Sequence, residues 1–253
     1  MSLSVLRLVR FMVADYARSG RLLVELVATA IAYYLLFRRV DAADNTAMYF
    51  FATAGLLALL LTLYTAQALL AQAVRAEYAL VLTRRVGRGT FLVGVYMAAL
   101  AVVAAMYGAL SLATAVFSPV SDLTLAGWLL GSLPLLLNVA QLAALLALAS
   151  PLALSSGGRL AILGLILFAF STSLIGGPAL AALPTMLVAA IEVVRTIVSA
   201  PLIPGFSGYA LAVSRDYGGL NAAIPLAQAL VTLALLALAV VAFRRREIQF
   251  TLG

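Results

Sequence analysis

Six long apolar runs, each joined to the next by a polar segment, leave this chain essentially one solvent in which to fold. The runs span 22–37, 46–73, 90–117, 127–149, 160–176 and 222–243. An α-helix rises 1.5 Å per residue, so about 20 apolar residues cross the hydrocarbon core of a bilayer. Runs two and three exceed that length and are expected to tilt or to project beyond the membrane. Composition points the same way. Of the 253 residues, 65% are hydrophobic and 10% charged, against about half and about 25% in a soluble domain. The expected fold class is an all-α integral membrane domain with six transmembrane helices.

What the chain lacks narrows its chemistry. It has no cysteine and no histidine, which excludes disulfides, thiol chemistry, zinc sites built on Cys or His, and Ser–His catalysis. All 16 basic residues are arginines. Without lysine there is no P-loop amine to reach a nucleotide's phosphates and no Schiff-base amine. No catalytic residue, metal site or cofactor of its own is therefore expected, and a transporter, a channel or an assembly subunit remains. A pI near 10.1 raises the question of nucleic acid. The arginines, however, lie in short segments between apolar runs, where they act as topology signals, so no nucleic-acid partner is expected.

Residues 1–21 read as an interfacial amphipathic helix. At 100° per residue, Arg7, Arg10, Arg18 and Arg21 fall in one sector, with Val5, Val9, Met12, Val13 and Tyr16 opposite. Phe11 alone breaks the division. Such a helix lies in the interface plane with its basic face toward anionic headgroups. Ala28-Thr29-Ala30 resembles a signal-peptide cleavage site, but the apolar stretch Leu22–Val27 before it is short and carries Glu25, so no cleavage is expected.

Charge then orients the spans. With the N-terminus in the cytoplasm, Arg7, Arg10, Arg18, Arg21, Arg75, Arg84, Arg85, Arg88, Arg159 and Arg244–Arg246 lie inside. Only Arg38, Arg39, Arg195 and Arg215 lie outside, a distribution of twelve against four that follows the positive-inside rule. Both termini are expected in the cytoplasm, with Tyr49 and Trp128 at the outer headgroup level. Residues 184–200 are apolar enough to tempt a seventh span, but Glu192 and Arg195 sit at their middle. Each costs about 2.5–3.5 kcal/mol at a bilayer centre. An outer helix on or dipping into the outer leaflet fits better, with Glu192 and Arg195 paired at i,i+3. The largest outer element is thus expected at 177–221, between runs five and six.

The loop at 74–89 carries Glu77, Arg84, Arg85 and Arg88 at the cytoplasmic ends of two long helices. Its stretch Val81-Leu82-Thr83-Arg84-Arg85-Val86-Gly87-Arg88, followed by Phe91-Leu92-Val93-Gly94, resembles the loop of ABC-2 type transporter permeases. That family's loop reads Leu-Leu-(Ser/Thr)-Arg-Pro-Val-Ser-Arg and then an aromatic with Leu-Leu-Gly-Lys. Arg85 stands where the proline is usual and Val95 where the lysine follows the glycine. The resemblance covers nearly the whole chain: an elbow helix, six spans, a coupling helix between spans two and three, and short extracellular helices between spans five and six. It implies a permease subunit of the plasma membrane that pairs with a second permease subunit, identical or related. It also implies a separate ABC subunit that binds ATP and Mg²⁺, coupled through Glu77, Arg84, Arg85 and Arg88.

Polar residues inside the runs complete the list of candidates. Glu25 lies in run one, Gln67 and Gln72 in run two, Asn138 and Gln141 in run four, and Gln228 in run six. Amides in lipid either tie helices together or face a pathway. Asn138 and Gln141, at i,i+3, share a helix face. Glu25 calls for a functional hypothesis or a salt bridge with Arg21, one turn earlier. An otherwise apolar pathway favours an amphipathic or lipid-like cargo. A self-contained secondary transporter is the runner-up, although the last three runs do not visibly repeat the first three. A non-transporting assembly subunit is the third reading.

Overall fold

The computed structural model describes residues 3–38, 40, 44–74, 87–170 and 185–245. Among them the chain is entirely helical, without strands. Its helices are α1 (Leu3–Arg18), α2 (Arg21–Leu36), α3 (Ala47–Ala73), α4 (Arg88–Phe117), α5 (Leu125–Leu148), α6 (Ser156–Phe170), α7 (Thr185–Ser199), α8 (Ile203–Ser214) and α9 (Ile224–Arg245). A short 3₁₀ turn, Gly219–Ala223, precedes α9. Four stretches are long and apolar enough to cross a membrane: α3, α4, α5 and Gly219–Arg245. The pairs α1–α2 and α7–α8 qualify only as bent units, with bends of 75° and 62°. The protein is therefore membrane-embedded, with four to six candidate spans. Over the first predicted span, 22–37, the chain forms α2 with 16 residues, and α1 turns sharply away from it. Residues 171–176 of the fifth predicted span lie outside the described residues.

Surface polarity is inverted relative to a soluble fold. Leu23, Ile31, Leu60, Leu129, Leu230 and Leu238 are all exposed on the bundle's flanks, where lipid takes the place of water. Inside, small residues let helices approach closely. Phe51 of α3 lies flat against Gly131 of α5, so closely that a Cβ at Gly131 would overlap its ring. Leu8 of α1 occupies the same kind of notch at Gly94 of α4. The apolar face of α1 is thus Val5, Leu8, Met12 and Tyr16, at i,i+3,i+4 spacing and buried. That face packs on α4 rather than on lipid. Arg7, Arg10 and Arg18 are exposed on its other side. Gly20, with φ +77°, makes the turn into α2, where left-handed backbone favours glycine.

The two ends of the bundle differ. At one end, α1 and Arg159 join Arg88 at the start of α4 and Arg244 at the end of α9. There the Arg88 guanidinium donates to the Arg244 carbonyl at 3.4 Å. The opposite end is laced by hydroxyl, amide and carboxyl groups, with Arg215 paired among them. Thr46 and Thr124 cap α3 and α5 by accepting from Tyr49 N and Gly127 N. Asn45 donates to the Ser118 carbonyl at 2.7 Å. Asp122 accepts from Ala47 N at 2.6 Å and pairs with Arg215 at 3.0 Å. Arg215, the left-handed residue that ends α8 with φ 56°, thereby anchors that helix to the α4–α5 loop.

Between these ends, α8 packs one face into the bundle, through Gly208, Leu211 and Ala212. Its C-cap residue, Arg215, meets Asp122, whereas Pro201, just before its start, meets Gln141, about two thirds of the way along α5. The α7–α8 break therefore lies alongside α5, between the two ends of the bundle and not at the end that carries Asp122. Burial of α8 against α3, α5 and α9 supplies the reason: Leu211 and Ala212 are core residues.

Candidate functional site

Two groups of polar side chains lie inside the apolar bundle. The first joins α1, α2 and α3. Glu25 is 1% exposed, and its Oε1 accepts from the Tyr16 hydroxyl and the Thr65 hydroxyl, each at 2.5 Å. Its second oxygen, Oε2, is buried without a partner. The salt bridge to Arg21 does not form. Arg21 instead donates to the Ala68 carbonyl at 3.0 Å, since one turn of helix carries its guanidinium toward the end of α3. Glu25 thus acts as the acceptor that ties α1 to α2 and α3.

The second group joins α5, α8 and α9, and proline chemistry organises it. Pro134 lacks an N–H and so leaves the Leu130 carbonyl without its helical donor. The Tyr217 hydroxyl supplies that bond at 2.5 Å. Gln228 of α9 donates to the Pro134 carbonyl at 3.1 Å and to Asn138 Oδ1 at 3.0 Å. Gly208 of α8 leaves room for the Gln228 amide; a Cβ there would overlap it. One turn further along α5, Gln141 donates its Nε2 to the Pro201 carbonyl at 2.9 Å. That bond places the amide nitrogen, so the other end of the group is an acceptor. Gln141 Oε1 and Gln228 Oε1 are both buried and unpartnered.

Asn138 and Gln141 also line an open-sided cavity of about 480 Å³. Leu56, Leu59, Leu142, Leu145 and Phe206 form much of its apolar wall, and among the described residues no charged one lines it. Size and lining match a small-molecule site, mostly apolar with a few placed polar groups.

The structure separates the other predicted residues. Gln67 is exposed on the outer flank of α3 and joins neither group, while Gln72 is buried near the arginine-rich end. Glu77, Arg84 and Arg85 lie outside the described residues; Arg88 opens α4. The Glu192–Arg195 pair does not form: among the described residues the ion pair is Arg215 with Asp122. Exposed pairs of long side chains gain too little to hold one geometry. Sequence reasoning missed Thr65, Pro201, Gly205 and Tyr217. Only the proline inside run four hinted that a donor must come from elsewhere.

Fold and site together define a polytopic, all-helical membrane protein with a polar-flecked interior groove. No family model, characterised protein or solved structure matches the chain.

Proposed function

We propose that the chain is the permease subunit of an ABC-2 type ATP-driven exporter that moves an amphipathic or lipid-like substrate. In this reading ATP is hydrolysed by a separate subunit, and a second permease copy or relative completes the pathway. The arginine-rich end faces the cytoplasm, in keeping with the positive-inside rule. The observation that carries the reading is the packing at that end. Leu8 of α1 is seated at Gly94, near the start of α4, and Arg88 meets the carbonyl end of α9. A push on the loop entering α4 is therefore transmitted to α1, and through Tyr16 and Glu25 to α2 and α3. That is the mechanical link a coupling loop at Glu77, Arg84, Arg85 and Arg88 requires. The absence of lysine accords with hydrolysis in another chain.

The test is affinity purification of the full chain from its native membranes. A soluble ATPase is expected to co-purify, and Arg84→Glu with Arg88→Glu to release it while the chain remains membrane-inserted. Undiminished association of that double variant, or a wild-type chain that recovers no ATPase, would overturn the proposal. A self-contained secondary transporter is the second reading, favoured by the broken α7–α8 pair whose Pro201 carbonyl meets a buried amide. Ion-driven uptake into proteoliposomes without ATP would select it.

A further inference from the structure

We infer that the groove beside Asn138 and Gln141 is a binding site for a neutral amphiphile: an aliphatic chain bearing a hydroxyl or amide hydrogen-bond donor. The inference gives the cargo of the proposed exporter a chemical class and a location. As a statement about cargo it rests on that reading, while binding itself does not require it.

Three observations carry it. First, Gln141 is 6% exposed and its Oε1 has no partner, although leaving a buried acceptor unpaired is costly. Its nitrogen is already committed to Pro201, so what the site still needs is a donor. Secondly, the groove wall at this point is Gly205. A Cβ there would stand 3.0 Å from Gln141 Oε1 and 3.3 Å from Asn138 Oδ1. Two carbonyl oxygens thus lie behind a residue with no side chain to cover them. Gly205 and Gln141 both line the cavity, so the oxygen and the groove meet at this glycine. Thirdly, the rest of the lining selects an uncharged aliphatic body. Leu56, Leu59, Leu142, Leu145 and Phe206 offer dispersion contacts. With no acid or base among the described lining residues, an ionic head would lie there without a counter-charge from them. A neutral head with an O–H or N–H satisfies the amide, and the chain fills the apolar length.

Photolabelling tests this on the full-length chain in phosphatidylcholine nanodiscs, together with any subunit that co-purifies. The probes are a monoacylglycerol with a diazirine in its acyl chain and the methyl ester of the same acyl chain, which lacks a donor. The monoacylglycerol is expected to label peptides containing Leu142 or Phe206 about tenfold more than the ester. Gln141→Leu should bring its labelling down to that of the ester. Because this variant also removes the bond to Pro201, Gly205→Ala serves as the second. It keeps the amide that donates to Pro201, sets a methyl group about 3.0 Å from the oxygen, and should reduce monoacylglycerol labelling while leaving the ester's unchanged. Equal labelling by both probes would mean bilayer chains lapping an apolar groove, and would overturn the site. So would wild-type labelling in both variants, or none in the parent. Each of these results leaves ATPase association untouched, so the site and the exporter reading fail separately.

Discussion

The Glu25 cluster and the amide cluster are built from the same materials and differ in one respect. Each sets polar side chains among leucines and alanines, and each ties together three helices. Around Glu25 the packing is closed: Tyr16 is fully buried, Thr65 likewise, and no described cavity is lined by any of the three residues. Around Asn138 and Gln141 the packing opens into a groove of about 480 Å³. Polarity inside a membrane domain is therefore a poor guide to function on its own; what distinguishes the clusters is access. A closed cluster holds helices in register, and an open one offers its leftover hydrogen-bonding capacity to a ligand.

The largest expected effect comes from removing the closed cluster's acceptor. Glu25→Ala leaves the Tyr16 hydroxyl buried without an acceptor and opens a cavity, at a cost of about 2 kcal/mol or more. Reversible unfolding in mixed micelles measures this, with Glu25→Gln, which keeps an acceptor oxygen, losing less than half as much. If Glu25→Ala is as stable as the parent but loses transport, the roles assigned to the two clusters are reversed.

The sequence made the helices legible because lipid imposes long apolar runs, and it made one face of α1 legible because Val5, Met12 and Tyr16 recur at helical spacing. Partners inside the bundle were far less accessible. Glu25 meets residues 9 and 40 positions away, whereas Arg21, its obvious neighbour, reaches a backbone carbonyl on α3. On α3 itself, apolar residues surround the axis, so no periodicity distinguishes exposed Gln67 from buried Gln72. The shared face of Asn138 and Gln141 followed from i,i+3 spacing. That the groove beside it is walled by α8 did not, because nothing in the 177–221 stretch, which reads as an outer element, points to Pro201 meeting Gln141.

A smaller effect is expected at the open cluster. Gln228→Leu removes the donor to Pro134 and Asn138, yet interhelical hydrogen bonds in membranes average about 0.6 kcal/mol and rarely exceed 1.7. A loss of about 1 kcal/mol in the same unfolding assay is expected, below that of Glu25→Ala. A larger loss would make the amide cluster the principal fastening of the bundle and weaken the case that it is reserved for a ligand.

The smallest effect lies outside both clusters, at Asp122 on the α4–α5 loop, and it depends on pH. The Ala47 backbone N–H that donates to Asp122 Oδ1, aided by the Arg215 guanidinium, holds this carboxyl below its ordinary range. A depressed folded-state pKa means that the ionised form is favoured by folding. Its contribution is full above the unfolded pKa of about 3.9 and is lost as pH falls through the folded value. The side chain is 47% exposed, so solvent screens the contribution and it stays small. Asp122→Asn should therefore lower the midpoint of thermal unfolding slightly at pH 7 and converge on the parent below pH 4. High salt should shrink the difference by screening Arg215 but should not abolish it, because the bond to Ala47 is short and local. An Asp122→Asn curve parallel to the parent from pH 7 to pH 3 would show that this end is held by neutral contacts such as Asn45 to Ser118. The loop would then resemble the closed cluster in needing no charge.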